Sequence, residues 1–248
     1  GEGDPGEVVV QATGKDALLF QTTMGRVANL TLHQISGGEW FGVDIAQGRL
    51  ELEECNITSQ SLSCVAIWEG GNPTLRRNRI HHGKRTGVFV YENGQGTLED
   101  NDIFGNALAG LEIKTGGNPT LRHNRIHDNK DEGVYVHNSG QGTLEDNDIF
   151  GNALAGVEIQ SGGNPTLRRN RIHDNEEDGV LVCNNGQGTL EDNDIFDNTL
   201  SGVGIRTGGN PTLRRNRINR NGYVAVKVYD EGGGTIEDND LRDNARGA

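Results

Sequence analysis

The string Gly-Gly-Asn-Pro-Thr-Leu-Arg begins at Gly70, Gly116, Gly162 and Gly208, each copy 46 residues after the last. Between them lie Gly-Gln-Gly-Thr-Leu-Glu-Asp-Asn-Asp segments at Gly94, Gly140 and Gly186, with a Gly-Gly-Gly-Thr-Ile variant at Gly232. Superimposing the two kinds halves the period. Asn78, Asn101, Asn124, Asn147, Asn170, Asn193, Asn216 and Asn239 are each 23 residues apart. A chain made of such units has to stack them, because one unit has too little apolar surface to fold alone.

Each unit holds a Thr-Leu-x-x-Asn-x-Ile segment and a Gly-Val-x-Val or Gly-Val-x-Ile segment, separated by Gly-Asn-Pro or Gly-Gln-Gly turns. The alternation is that of strands, and Gly and Pro mark the bends. Three aliphatic columns result, exemplified by Leu98/Leu121/Leu144, Ile103/Ile126/Ile149 and Ile113/Val136/Ile159. Stacked at the strand spacing, they make a continuous core from a chain that is only 32% hydrophobic and has 38 glycines. The sequence predicts an all-β, single-stranded, right-handed parallel β-helix of 23-residue coils. A leucine-rich repeat shares the Leu-x-x-Asn-x-Ile element, but the second strand leaves little room for its convex-side helix. Residues 1–248 read as one β-helix domain, with degenerate coils over 1–48 and regular coils over 49–248. With no initiator Met, it is expected to be a fragment of a longer protein. Unpaired strand edges at its ends predict end-to-end association of copies, or a cap outside this sequence.

The segments GGNPTLRRNRIHDN and NGQGTLEDNDIFGN resemble the parallel β-helix repeats of the pectate-lyase-like superfamily. They are most similar to carbohydrate-binding and sugar-hydrolase type repeats in β-helix F-box proteins and multidomain bacterial proteins. The resemblance covers almost the whole chain. It implies either selection of a protein partner or action on acidic polysaccharide. No F-box pattern is present, so a ubiquitin-ligase role is not implied. Ile113-Lys114-Thr115 matches part of the Arg-Ile-Lys substrate motif of polygalacturonases, but Glu112 stands in the Arg position. Their Gly-His-Gly motif and the Asp-Pro-His signature of alginate epimerases are absent.

Charge narrows the partners. A net charge of −13 opposes nucleic acid and anionic membrane surfaces. No apolar run reaches the length of a membrane span. Neighbouring coils alternate in sign, as in Arg76, Glu99, Arg122, Glu145 and in Arg79, Asp102, Arg125, Asp148, so stacked charges attract. Each Asp thus has Arg neighbours, which argues against calcium or any other metal and against a carboxylate catalytic site. Cys55, Cys64 and Cys183 read as small buried residues with no disulfide or metal-ligand pattern, pointing to a reducing, cytoplasmic compartment.

The non-uniform columns carry the functional expectation. Beside the Val/Ile column run Trp68, Tyr91, Lys114, His137 and, two residues earlier in each coil, Ala66, Phe89, Glu112, Tyr135. Trp68, Phe89, Tyr91, Lys114, Tyr135 and His137 should form one exposed aromatic and cationic patch suited to sugar stacking or a protein hot spot. The segments before each Gly-Val strand, such as Lys130-Asp131-Glu132 and Glu176-Glu177-Asp178, read as solvated loops. His81, His127 and His173 alternate with Phe104, Phe150 and Phe196 and read as turn packing. No singular Asp, His or Lys breaks the repeat. The sequence therefore favours a non-catalytic, cofactor-free recognition or scaffold domain for a protein or polysaccharide. The alternatives are a lyase or hydrolase of acidic polysaccharide, and a structural spacer or end-to-end assembly unit.

Overall fold

The computed structural model describes residues 8–247, and among these the chain forms three parallel sheets of ten strands each. Each coil contributes one strand to every sheet, so sequence neighbours never pair with each other. One sheet holds strands such as Thr97–Glu99, the next those such as Asp102–Phe104, and the third those such as Val134–Val136. They are named here the Leu, Ile and Val sheets after their inward residues. No helix occurs among the described residues, and the right-handed β-helix expected from the repeat is what forms.

Register follows the 23-residue period: Leu98 lies between Leu75 and Leu121, and Ile103 between Ile80 and Ile126. These inward residues have no solvent exposure. Every deletion of one would cost both transfer energy and a cavity. The N-terminal coils depart from the period. Thr31 pairs with Asn56 and Leu18 with Val43, each 25 residues away, whereas Val9 pairs with Thr31, 22 away. The extra residues are absorbed in turns, so Val43 and Ile45 still stack on Val65 and Ile67.

The Leu and Ile sheets meet at a two-residue corner. Its first residue is left-handed in every regular coil, as at Asp100 (φ 56), Arg77 (φ 52) and Asp146 (φ 56). Its second is the ladder Asn. Asn124 Nδ2 donates to Leu98 O at 2.8 Å and to Asn147 Oδ1 at 3.0 Å, and its backbone N–H also donates to Asn147 Oδ1 at 3.0 Å. The side chain thereby satisfies the backbone groups that the corner removes from sheet pairing. Cys55 ends this ladder, its N–H still donating to Asn78 Oδ1 at 3.0 Å. A second ladder, including Asn106, Asn129 and Asn152, does the same where the chain leaves the Ile sheet. All three cysteines are buried and unbridged.

The sign alternation forms ion pairs as the sequence predicts: Arg76–Glu99 at 2.9 Å, Arg122–Glu145 at 3.2 Å and Arg125–Asp102 at 3.2 Å. Each is partly exposed and individually weak, so their value lies in fixing which coil sits on which. The histidines do not pack in turns. They end the Ile-sheet strands and build a continuous ring stack, with Phe104–His127 at 5.3 Å, His127–Phe150 at 4.7 Å and His173–Phe196 at 4.6 Å between centroids. Strand alternation turns them outward, where the flat ladder lets ring lie on ring.

His127 Nε2 lies 3.0 Å from Asp102 Oδ1 and Nδ1 lies 2.7 Å from Asp128 Oδ2. Burial works to lower its pKa, but the two carboxylates outweigh it and hold it above the ordinary imidazole value. The Asp102 carboxyl is held below its usual range, first by the His127 hydrogen bond. The stabilisation from His127 is therefore complete below about pH 6.5 and is lost as pH rises through its folded pKa. That from Asp102 is present above its unfolded pKa and is lost as pH falls through its lower folded value. Denaturant midpoints taken from pH 5 to 9 should fall more steeply on the alkaline side for the native chain than for His127→Gln. An unchanged profile in the variant would remove the clamp from the account.

Candidate functional site

Shallow depressions follow one another along the outer face of the Val sheet and together make a discontinuous cleft. Its floor is the row of outward strand residues: Ala66, Phe89, Glu112, Tyr135 and Glu158 lie side by side in register. Its wall is the set of loops that enter this sheet from the Ile sheet. Glycines just before the strands let those loops lie close to the next coil. A Cβ on Gly133 would sit 2.6 Å from both Gly156 O and Ile149 Cγ2.

All six residues selected from the sequence lie on this face, but they are half-buried rather than exposed, because they cover one another. Trp68 stacks on Tyr91 (5.8 Å, interplanar 2°) and Tyr91 on Phe89 (4.3 Å, 19°). Trp68 Nε1 donates to Asp44 Oδ1 at 2.6 Å. Burial pushes the Tyr91 hydroxyl up to about 12. Tyr135 and His137 form a second stack at 4.2 Å. The expected single patch is thus two aromatic groups, split by Glu112 and bridged by Lys114. Lys114 Nζ lies 4.7 Å over the Phe89 ring and 3.7 Å from Glu112 Oε1, and His137 Nε2 is 3.0 Å from the same oxygen. Burial works to raise the Glu112 carboxyl, yet His137, Lys114 and Thr86 together hold it below its ordinary value.

Beside this lies a group that the sequence reading placed in solvent. Glu132, just before the strand Val134–Val136, is 91% buried against the floor. With Thr86, Leu108, Asp131, Tyr135 and Glu158 it lines a depression of about 320 Å³. Burial is the main force on its carboxyl; the charges of Glu158 and Asp131 add to it, and the pKa rises to about 7. Glu158 lines the same depression, and burial raises its carboxyl as well. Tyr135, which Gln160 contacts through its hydroxyl, stands between Glu112 and Glu158. Asp178 occupies the Glu132 position two coils on, raised mainly by burial, and accepts from Ser201 N at 2.8 Å.

The signal for Glu132 and Asp178 was present. Their column reads Ser63, Thr86, Ala109, Glu132, Ala155, Asp178, Ser201, so two acids break a run of small residues. Read along the chain they belong to a charged loop, and only stacking shows that the loop faces the cleft. Among the described residues no group of three or more His, Cys, Asp or Glu is placed to hold a metal ion. No helix there is long and apolar enough to cross a membrane.

A sequence profile for the right handed beta helix region matches residues 17–159 and 131–248. The chain belongs to the right-handed β-helix family. No curated protein matches it in sequence. Among solved structures it is similar to the Azotobacter vinelandii mannuronan C-5 epimerase AlgE6 A-module, with a TM-score of 0.73 and 18% identity over 98% of this chain and 80% of that one. The periplasmic alginate epimerase AlgG superposes with a TM-score of 0.69 and 13% identity over 96% and 79%. Pectate lyase Pel9A superposes with a TM-score of 0.59 and 16% identity over 94% and 70%. These β-helix neighbours are carbohydrate-active enzymes, and at such identities the likeness establishes the fold alone.

Proposed function

We propose that the Val-sheet cleft binds an acidic polysaccharide and that this chain is a carbohydrate-active enzyme acting on it. The observation that carries the reading is the buried Glu132 carboxyl, which shares a depression with Glu158 and Tyr135 on the face that also holds the Trp68–Tyr91–Phe89 stack. A carboxyl that titrates near neutrality can both hold and release a proton at working pH, which lyase and hydrolase chemistry alike require. Aromatic faces suit the apolar faces of sugar rings, while Lys114 and Arg206 along the same row offer positive charge to uronate carboxylates. The names of the neighbours, alginate and mannuronan epimerases and a pectate lyase, support that substrate class.

The test is incubation of the chain with polygalacturonate, alginate and a neutral glucan, following reducing ends and unsaturated products. Turnover of a polyuronate supports the reading, and unsaturated ends would specify a lyase. A second reading, non-catalytic recognition of a glycan or protein, is favoured by the Trp68–Tyr91–Phe89 stack, which lies apart from Glu132. Polyuronate binding without any turnover would select it. Neither binding nor turnover would remove the glycan reading in both forms.

A further inference from the structure

The Val-sheet cleft has a third aromatic group near its other end. Tyr223, on the wall, and Tyr229, on the floor row of Trp68 and Tyr91, both lie against Lys227. Lys227 Nζ is 4.3 Å over the Tyr229 ring and 5.4 Å over Tyr223. With Asp178, Leu200 and Ser201 they line a cavity of about 190 Å³. The ladder arginines each face a carboxylate on the next coil. Lys227 is exposed and lies over two rings; the Asp178 carboxylate shares its cavity and feels its charge but forms no ion pair with it, so the ammonium can still meet a ligand.

The spacing relates this cavity to the rest of the cleft. Trp68 and Tyr229 are 161 residues apart, seven repeats of 23, which is about 34 Å at the ~4.8 Å strand separation. The strand beside Glu132, Val134–Val136, lies four repeats before Val226–Val228, about 19 Å away. Charge varies along that length. Arg85 and Lys114 flank the first platform; Glu112, Asp131, Glu132, Glu158, Glu177 and Asp178 follow; Arg206 and then Lys227 stand towards the far end. An acidic sugar is thus attracted at the two ends and tolerated in the middle only where a carboxyl is protonated.

We propose that Tyr223, Lys227 and Tyr229 form a distal subsite that takes one acidic sugar unit of a glycan whose other part lies over Glu132. The rings flank the sugar, and Lys227 Nζ faces its carboxylate. The inference rests on the glycan reading of the cleft and adds a length requirement to it. A trimer seated between Trp68 and Glu132 cannot reach Lys227, whereas an octamer spans both platforms.

Binding of trigalacturonate and octagalacturonate is to be measured by calorimetry on the full chain, alongside the octamer with its carboxyls reduced to alcohols. The native chain should bind the octamer roughly five- to tenfold more tightly than the trimer. Lys227→Met and the Tyr223→Ala/Tyr229→Ala pair should lose most of that advantage while keeping trimer affinity. The reduced octamer should bind the native chain and Lys227→Met alike. Lys227 is exposed, so its variant remains informative if the double tyrosine variant folds poorly. Equal loss for trimer and octamer, or an octamer advantage that survives both variants, would overturn the distal subsite and leave the cleft reading intact. No binding of any oligomer to the native chain would overturn both.

Discussion

Glu132→Gln is expected to lower turnover of the polyuronate substrate by about 10²–10⁴-fold, the range for loss of a positioned proton-transfer group. The amide fills the same space and can still meet Glu158, so folding should change little. Removing a buried acid also removes its desolvation, which makes a rise in thermal stability the natural companion of the lost activity. The pH profile separates a chemical role from a structural one. Burial and the neighbouring carboxylates keep Glu132 protonated up to about pH 7, so activity that needs its proton should decline as pH rises through that value. The residual activity of the Gln variant should show no such limb. A variant with full activity, or one that retains the native profile, would take the proton-holding role away from Glu132. In that event His137 is the next group to replace, since it shares Glu112 with Lys114 at the centre of the face.

Charge on the loops decides how far the site could be read from the residues alone. Lys130-Asp131-Glu132 is as polar as any surface loop, and polarity along the chain carries no information about which coil neighbours it. Asp131 stays partly exposed, whereas Glu132, one residue later, turns over Thr86, Tyr135 and Glu158. The column of small residues that Glu132 interrupts is visible only once the coils are stacked. The aromatic positions were legible for the opposite reason. Period-two alternation fixes which residues of Val134-Tyr135-Val136 face outward, and the 23-residue spacing fixes their neighbours. Their exposure was not legible, because ring stacking on a flat ladder buries the faces that a single-strand view leaves in water. The N-terminal coils show the same limit for the fold. Val43 and Ile45 could be placed in the core, but the 25-residue step from Leu18 to Val43 is set by turns that follow no repeat.

The Asn ladder is where the repeat is most uniform and where one change should cost most stability. Asn147 Oδ1 accepts from the backbone N–H and from Nδ2 of Asn124, both at 3.0 Å, and its Nδ2 donates to Leu121 O at 3.0 Å and Asn170 Oδ1 at 2.9 Å. Asn147→Ala strands an N–H, an amide hydrogen and a carbonyl where water does not reach, since Asn147 is 1% exposed. Each stranded group costs about 1–3 kcal/mol, partly recovered by relaxation, so a total loss of about 3–5 kcal/mol is expected in urea. Asn239 closes the same ladder at the C-terminal end, where it accepts from Asn216 N at 2.9 Å but is partly open to solvent. Water can take up what Asn239→Ala releases, so that variant should lose less than half as much. The comparison distinguishes buried polar satisfaction from a general aversion to alanine at the corner, which would make the two losses equal. A mid-array break has a further consequence that the end variant lacks. Stability in a stacked array is a sum of coil and interface terms, so weakening the interfaces around Asn147 uncouples the coils before it from those after it. Amide exchange in Asn147→Ala should therefore show two blocks of differing protection meeting near residue 147, whereas Asn239→Ala should fray only its own end.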